Sequence, residues 1–147
     1  MDYFDIDTAR RLYIPEKPDT YKNQRGRVLV IGGSCEYGGA PFLSGVSALR
    51  AGAGICTVAI PHNTRICENQ PNALIIRELP DDGTGHLAIS ANSPEISQLT
   101  EHADCLVLGP GLTTSDSVVD SVAALLSLPL PKALAACPVR PSVFAKY

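Results

Sequence analysis

The 147 residues are 45% hydrophobic and 18% charged, enough apolar material for one domain with a real core. A formal net charge of -3 with scattered basic residues provides no electrostatic footprint for nucleic acid, so an anionic ligand has to be held locally by backbone N–H groups and a few side chains. Cys35, Cys56, Cys67, Cys105 and Cys137 form no CxxC pair and are odd in number, which argues against both a zinc site and a disulfide framework.

The amino terminus, Met1-Asp2-Tyr3-Phe4-Asp5, is acidic and lacks the apolar segment of a secretory signal, and no apolar run approaches membrane-spanning length. A cytoplasmic protein with no membrane partner is the expectation. Residues 5–12 read as a short helix with Asp7 as candidate cap, stopped by Pro15 and Pro18. Residues 15–26 follow as an extended polar approach, with Lys22 as a solvated surface lysine.

Arg27-Val28-Leu29-Val30-Ile31 is the organising stretch. Its four consecutive apolar residues, three of them β-branched, predict a strand buried on both faces. It runs into the glycine-rich turn Gly32-Gly33-Ser34-Cys35-Glu36-Tyr37-Gly38-Gly39-Ala40, with Pro41 read as the first residue of a helix. A strand, a glycine loop and a helix N-terminus together make an anion site, because unpaired N–H groups and the positive end of the helix dipole converge there. No Gly-Lys-Ser/Thr follows, and the glycine spacing is not the dinucleotide fingerprint.

The helix is predicted over residues 41–51, with Phe42, Leu43, Val46 and Leu49 at helical spacing and Gly52 as a left-handed stop. Small residues at Gly45, Ser47 and Ala48 allow it to lie close on a sheet. Residues 55–60 form a second strand ended by Pro61, completing a right-handed parallel crossover. His62 follows at a strand end, where a cap or surface role is favoured over ligand binding. A short helix over residues 64–69, a third strand over residues 73–77 and a turn at Pro80-Asp81-Asp82-Gly83 come next. That acidic pair reads as turn chemistry rather than a metal ligand set.

Residues 83–92 carry no legible pattern. Ser93 then caps a helix that starts at Pro94 and runs through His102. Residues 105–108 are a fourth buried strand, and Gly109-Pro110-Gly111 is a second glycine turn before a helix over residues 115–126. Two glycine turns thus end two parallel strands on one edge of an α/β sheet, which is what a nucleotide-sized ligand requires.

Three segments, Gly26 to Ser34, Tyr37-Gly38-Gly39-Ala40-Pro41 and Ala48 to Gly54, resemble the amino-terminal half of the ADP- or ATP-dependent (S)-NAD(P)H-hydrate dehydratases. A second match in the right order lies at Ala103-Asp104-Cys105-Leu106-Val107-Leu108-Gly109-Pro110-Gly111-Leu112. The resemblance implies a three-layer ribokinase-like fold, a mostly parallel sheet with flanking helices. It also implies a hydro-lyase that repairs hydrated NADH and NADPH. In that reaction a nucleotide, ADP or ATP, phosphorylates the ring hydroxyl and phosphate is then expelled, with Mg2+ and backbone donors holding the transferring charge.

By position, the resemblance assigns Ala40 and Gly111 to close backbone approach on the hydrated cofactor. Gly38, Gly39 and Gly109 would shape the same floor, and Ser34 and Tyr37 would supply side-chain hydrogen bonds, with turn geometry alone as the other reading of these two. The family's Asp-Ala-Asp, Thr-Pro-His, Lys-Gly and Gly-Ser-Gly-Asp segments, the last carrying the aspartate base, are not in this sequence. No catalytic residue and no metal ligand is therefore assigned.

The match is read over residues 15–131, about half of a family member, so residues 1–131 are expected to be a partial domain and residues 132–147 a non-matching tail. A shortened or frame-altered gene product, without dehydratase activity on its own, is the expectation. Full-length members are expected to form homo-oligomers. Two other readings stay open: a nucleotide-binding or assembly module without catalysis, and another ribokinase-like small-molecule kinase.

Overall fold

The strand predicted over residues 27–31 is the middle of a five-stranded sheet. The computed structural model describes residues 5–12, 15, 19–64, 71–90 and 92–135. β1 (Arg27–Ile31) lies between β2 (Ile55–Pro61) and β4 (Cys105–Leu108), with β3 (Ile75–Leu79) outside β2 and β5 (Lys132–Leu134) outside β4. The order is β3-β2-β1-β4-β5, and every pairing is parallel.

Alternation along β1 explains its uninterrupted apolar run. Leu29 and Ile31 join Leu106 and Leu108 in a core closed by Ile96 of α3 (Pro94–Glu101) and by Val118, Val122 and Leu125 of α4 (Asp116–Leu126). Val30 points the other way, joining Cys56, Val58 and Ile60 under Phe42 of α2 (Gly39–Arg50). A strand covered on both faces has no position for a polar residue. Gly45 brings α2 close to the sheet, since a Cβ there would lie 2.8 Å from Val58 Cγ2 and 3.0 Å from the Leu74 side chain.

Several boundaries differ from expectation. In α1 (Ile6–Leu12) the cap is Asp5 rather than Asp7: Asp5 Oδ1 accepts the Thr8 N–H at 2.7 Å, whereas Asp7 pairs with Arg10. A 3-10 turn at Lys22–Gln24 interrupts the extended approach, and Lys22 itself is exposed. α2 starts at Gly39, two residues before Pro41, and Leu43 is 72% exposed, so the buried face runs through Phe42 and Gly45 instead.

β3 begins and ends two residues later than predicted. Leu79 is the residue that enters the core, while Leu74 precedes the strand and packs on the α2 side. Ser93 caps α3 as expected, its Oγ accepting the Ile96 N–H at 3.3 Å. β5 forms past residue 131, paired in register with Leu106 to Leu108. Residues 65–69 of the helix predicted over 64–69, Pro18, and the tail after residue 135 fall outside the described residues.

Candidate functional site at the two glycine turns

Both glycine turns start where the sheet changes direction. From β1 the chain steps outward through β2 to β3, then returns to the opposite side of β1 as β4. Loops leaving β1 and β4 head for helices on opposite faces, and in parallel sheets ligands bind in the crevice at this switch point, outside the carboxyl ends of the strands.

The two turns are in direct contact. The Gly33 N–H donates to the Pro110 carbonyl at 2.8 Å, and the Gly109 N–H donates to the Ile31 carbonyl at 3.1 Å. A Cβ on Gly32 would overlap the Pro110 carbonyl oxygen. A Cβ on Gly111, where φ is +76°, would overlap the Tyr37 carbonyl oxygen and lie 3.2 Å from Ala40 Cβ. Gly111, Tyr37 and Ala40 are therefore neighbours across the two turns. Gly39 is different: a Cβ there meets nothing within 4 Å, so the fold leaves space beside it that packing does not require.

The N-terminus of α2 opens onto that space. Its N-cap, Gly38, makes no side-chain capping bond. The N–H groups of Gly39 and Ala40, in the first turn, thus have no partner from within the helix and carry the positive end of its dipole. Ser34 lies beneath, 1% exposed, its Oγ accepting the Tyr37 N–H at 3.1 Å, so the serine holds the turn. The Tyr37 ring is 61% exposed at the rim. Gly39, Ala40, Tyr37, Gly109 and Gly111 are thus gathered at one corner, with Ser34 supporting it.

Two hydroxyls near this corner were invisible in the sequence. Thr64 Oγ1 and Thr113 Oγ1 are buried without a hydrogen-bond partner. Thr64 is 6% exposed, and its Cγ2 would lie 3.5 Å from a Cβ on Gly33; Thr113 stands two residues beyond Gly111. Buried unpaired hydroxyls are uncommon and are often explained by a ligand or ordered water. Their one sequence signal is position, just after the carboxyl ends of β2 and β4.

The patternless stretch after β3 folds against the first turn. The Cys35 N–H donates to the Gly85 carbonyl at 3.0 Å, and Asp81 bridges to Leu87. Asp82 Oδ1 accepts from the Thr84 hydroxyl at 2.6 Å and the Thr84 N–H at 2.9 Å, bonds that hold its carboxyl well below the usual carboxylate range. The neighbouring Asp81 accepts from Asn63 and from the Gly85 N–H; burial alone would raise its pKa, and these bonds outweigh it and lower it. Ser121 of α4 receives the Ile89 N–H at 2.9 Å. Glu36, on the turn itself, is held low chiefly by a hydrogen bond from the Cys35 thiol, which is raised in turn. His62 stands apart, its Nδ1 2.7 Å from Glu78 at the surface, in keeping with a surface role.

A cleft of about 560 Å³ opens at the other end of the sheet, against Arg27, Ile55 and Ile75 at the starts of β1, β2 and β3. It is remote from both glycine turns.

The family model for NAD(P)H-hydrate dehydratase matches residues 28–134. A bifunctional NAD(P)H-hydrate repair enzyme of Thermanaerovibrio acidaminovorans is 36% identical over 129 residues, 86% of this chain and 24% of the relative. The corresponding enzyme of Methanothermobacter thermautotrophicus is 41% identical over 102 residues, 68% of this chain and 19% of the relative. An ATP-dependent (S)-NAD(P)H-hydrate dehydratase of Entamoeba histolytica is 31% identical over 130 residues, covering 86% of this chain and 41% of the relative. The chain thus spans less than half the length of each of these relatives.

Among solved structures, a ribokinase-like superfamily protein from Enterococcus faecalis aligns with 90% of this chain and 43% of its own, at a TM-score of 0.61 and 22% identity, a likeness of fold. With both glycine turns inside the matched segment and the parallel sheet in place, the chain belongs to the NAD(P)H-hydrate dehydratase family.

Proposed function

We propose that residues 32–40 and 109–111 form the wall on which hydrated NADH or NADPH rests during a nucleotide-driven dehydration. The observation that carries this reading is the contact between the two turns at the switch point, inside the segment matched by the family model. The relatives named above are repair enzymes and ATP-dependent dehydratases, which supports ATP as phosphoryl donor, with ADP the other candidate.

The chemistry asks for two things that this corner supplies. Phosphate oxygens need N–H donors, and the uncapped amides of Gly39 and Ala40 at the start of α2 meet that need. A dinucleotide also needs close backbone approach, for which the small residues Ala40, Gly39 and Gly111 leave room. Ser34 sets the turn, Gly109 shapes its floor, and the Tyr37 ring forms its rim. Phosphorylating the ring hydroxyl of the hydrate makes it a far better leaving group than hydroxide, and its expulsion restores the double bond.

Mg2+ belongs to the same reading through the phosphates of the donor. No residue of this chain is assigned to hold the magnesium ion, and no step is routed through it. Homo-oligomerisation and a cytoplasmic location are carried as part of the proposal; no helix among the described residues is long and apolar enough to cross a membrane.

Calorimetric titration of the protein with hydrated NADPH, and separately with ADP and ATP, tests the assignment. Binding of hydrated NADPH that falls at least tenfold in Gly39→Leu is the expected result. Binding unaffected by Gly39→Leu would overturn it. Binding of no nucleotide at all, together with capture of a second polypeptide, would establish an assembly module instead.

A further inference from the structure

We propose that Cys35, Glu36 and His86 form a binding site for a zinc-type divalent cation on the rim of the first glycine turn. Two adjacent side chains and one from about fifty residues further on converge: Cys35 Sγ is 3.9 Å from His86 Nε2, and Glu36 Oε1 is 3.5 Å from the same nitrogen. The three ligand atoms all lie within 4.8 Å of one another. Tetrahedral zinc with thiolate, imidazole and carboxylate ligands places neighbouring donor atoms roughly 3.4–3.6 Å apart, so movements of about an ångström close the site.

The histidine is already set in the tautomer that binding requires. The Thr84 hydroxyl has a single hydrogen and gives it to Asp82 Oδ1 at 2.6 Å. At its 2.9 Å contact with His86 Nδ1 it must therefore accept, which makes Nδ1 the protonated nitrogen. In the neutral imidazole this leaves Nε2 with a lone pair facing Cys35 and Glu36. An imidazole whose second nitrogen donates to a neighbouring oxygen is the usual arrangement around a metal-bound histidine.

The backbone holds the pieces in register, because the Cys35 N–H bonds to the Gly85 carbonyl and a Cβ on Gly85 would press to 2.7 Å from Cys35 Cβ. A thiol and an imidazole favour zinc or another late transition metal over magnesium or calcium. Binding replaces the thiol proton with the metal and releases that proton to solvent. Glu36 is exposed, so the fourth coordination position faces water. The site uses none of the amides of Gly39 and Ala40, and its test does not depend on the dehydratase reading.

Titrating the metal-free, reduced 147-residue chain with Co2+ and following absorption is the experiment. One Co2+ per chain with a thiolate-to-cobalt charge-transfer band in the near ultraviolet is expected, displaced by one equivalent of Zn2+. Cys35→Ser should abolish the band, His86→Gln should weaken binding by about 100-fold, and Thr84→Val should weaken it by about 10- to 100-fold with the band retained. Circular dichroism of each variant distinguishes loss of the site from loss of the fold. A band that persists in Cys35→Ser, affinity unchanged in folded His86→Gln, or no band in the folded parent would each overturn the proposal.

Discussion

Alanine at Gly111 and alanine at Gly39 should have opposite consequences, although both glycines lie at the same corner. Gly111 sits at φ +76°, a conformation that costs an L-residue about 1–2 kcal/mol. Its new methyl would also be forced into the Tyr37 carbonyl and to within 3.2 Å of Ala40 Cβ, an overpacking that typically costs about 1–3 kcal/mol. The sum, about 2–5 kcal/mol, is a large part of the stability of a small domain.

With a urea dependence of about 2 kcal/mol/M, the unfolding midpoint should fall by roughly 1–2.5 M. At Gly39 a methyl meets nothing within 4 Å and φ lies outside the left-handed region, so helix propensity should leave stability unchanged or raise it by up to about 1 kcal/mol. Urea melts followed by circular dichroism measure both, and titration with hydrated NADPH should show weaker binding for Gly39→Ala despite its intact fold. A Gly111→Ala midpoint within about 0.3 M of the parent, on the same urea dependence, would refute the tight turn-to-turn contact. A destabilised Gly39→Ala would refute the open space beside α2.

Ser121→Ala leaves the Ile89 N–H without its acceptor and should cost about 1–3 kcal/mol in the same melts; a neutral result would mean that the loop finds another partner. Asp81 has a folded pKa below its unfolded value, so its hold on the Gly85 N–H is complete above about pH 4 and is lost as pH falls through the folded value. Hydrogen exchange at Gly85, referred to its intrinsic rate, should lose protection only below about pH 4, and a loss that sets in well above that pH would contradict the sign. Burial pushes the Cys56 thiol up to about 11, so at about pH 8 its alkylation should track global unfolding in mass spectra, and modification of the native protein at the rate of a free thiol would show that β2 is open.

The apolar runs at residues 27–31, 55–60 and 105–108 and the glycine turns after the first and last of them determined the sheet, its parallel sense and the corner where a ligand belongs. Those features are written locally, as a run with no polar position and as glycines where two backbones meet. The register of β3 was not local: as an edge strand it carries exposed Ile75, Arg77 and Glu78, and the burial of Leu79 alone decides where it ends. Residues 83–92 were illegible by pattern because Thr84, Gly85 and Ile89 are held by hydrogen bonds to Asp82, Asp81 and Ser121 rather than by any periodicity.

The meeting of Cys35 and Glu36 with His86 is likewise a product of the tertiary structure. Cysteine spacing cannot reveal ligands about fifty residues apart, which come together only when the loop after β3 closes over the end of β1. Periodicity along a chain reports which face is buried, whereas contact between distant side chains exists only once the sheet has brought them to the same edge.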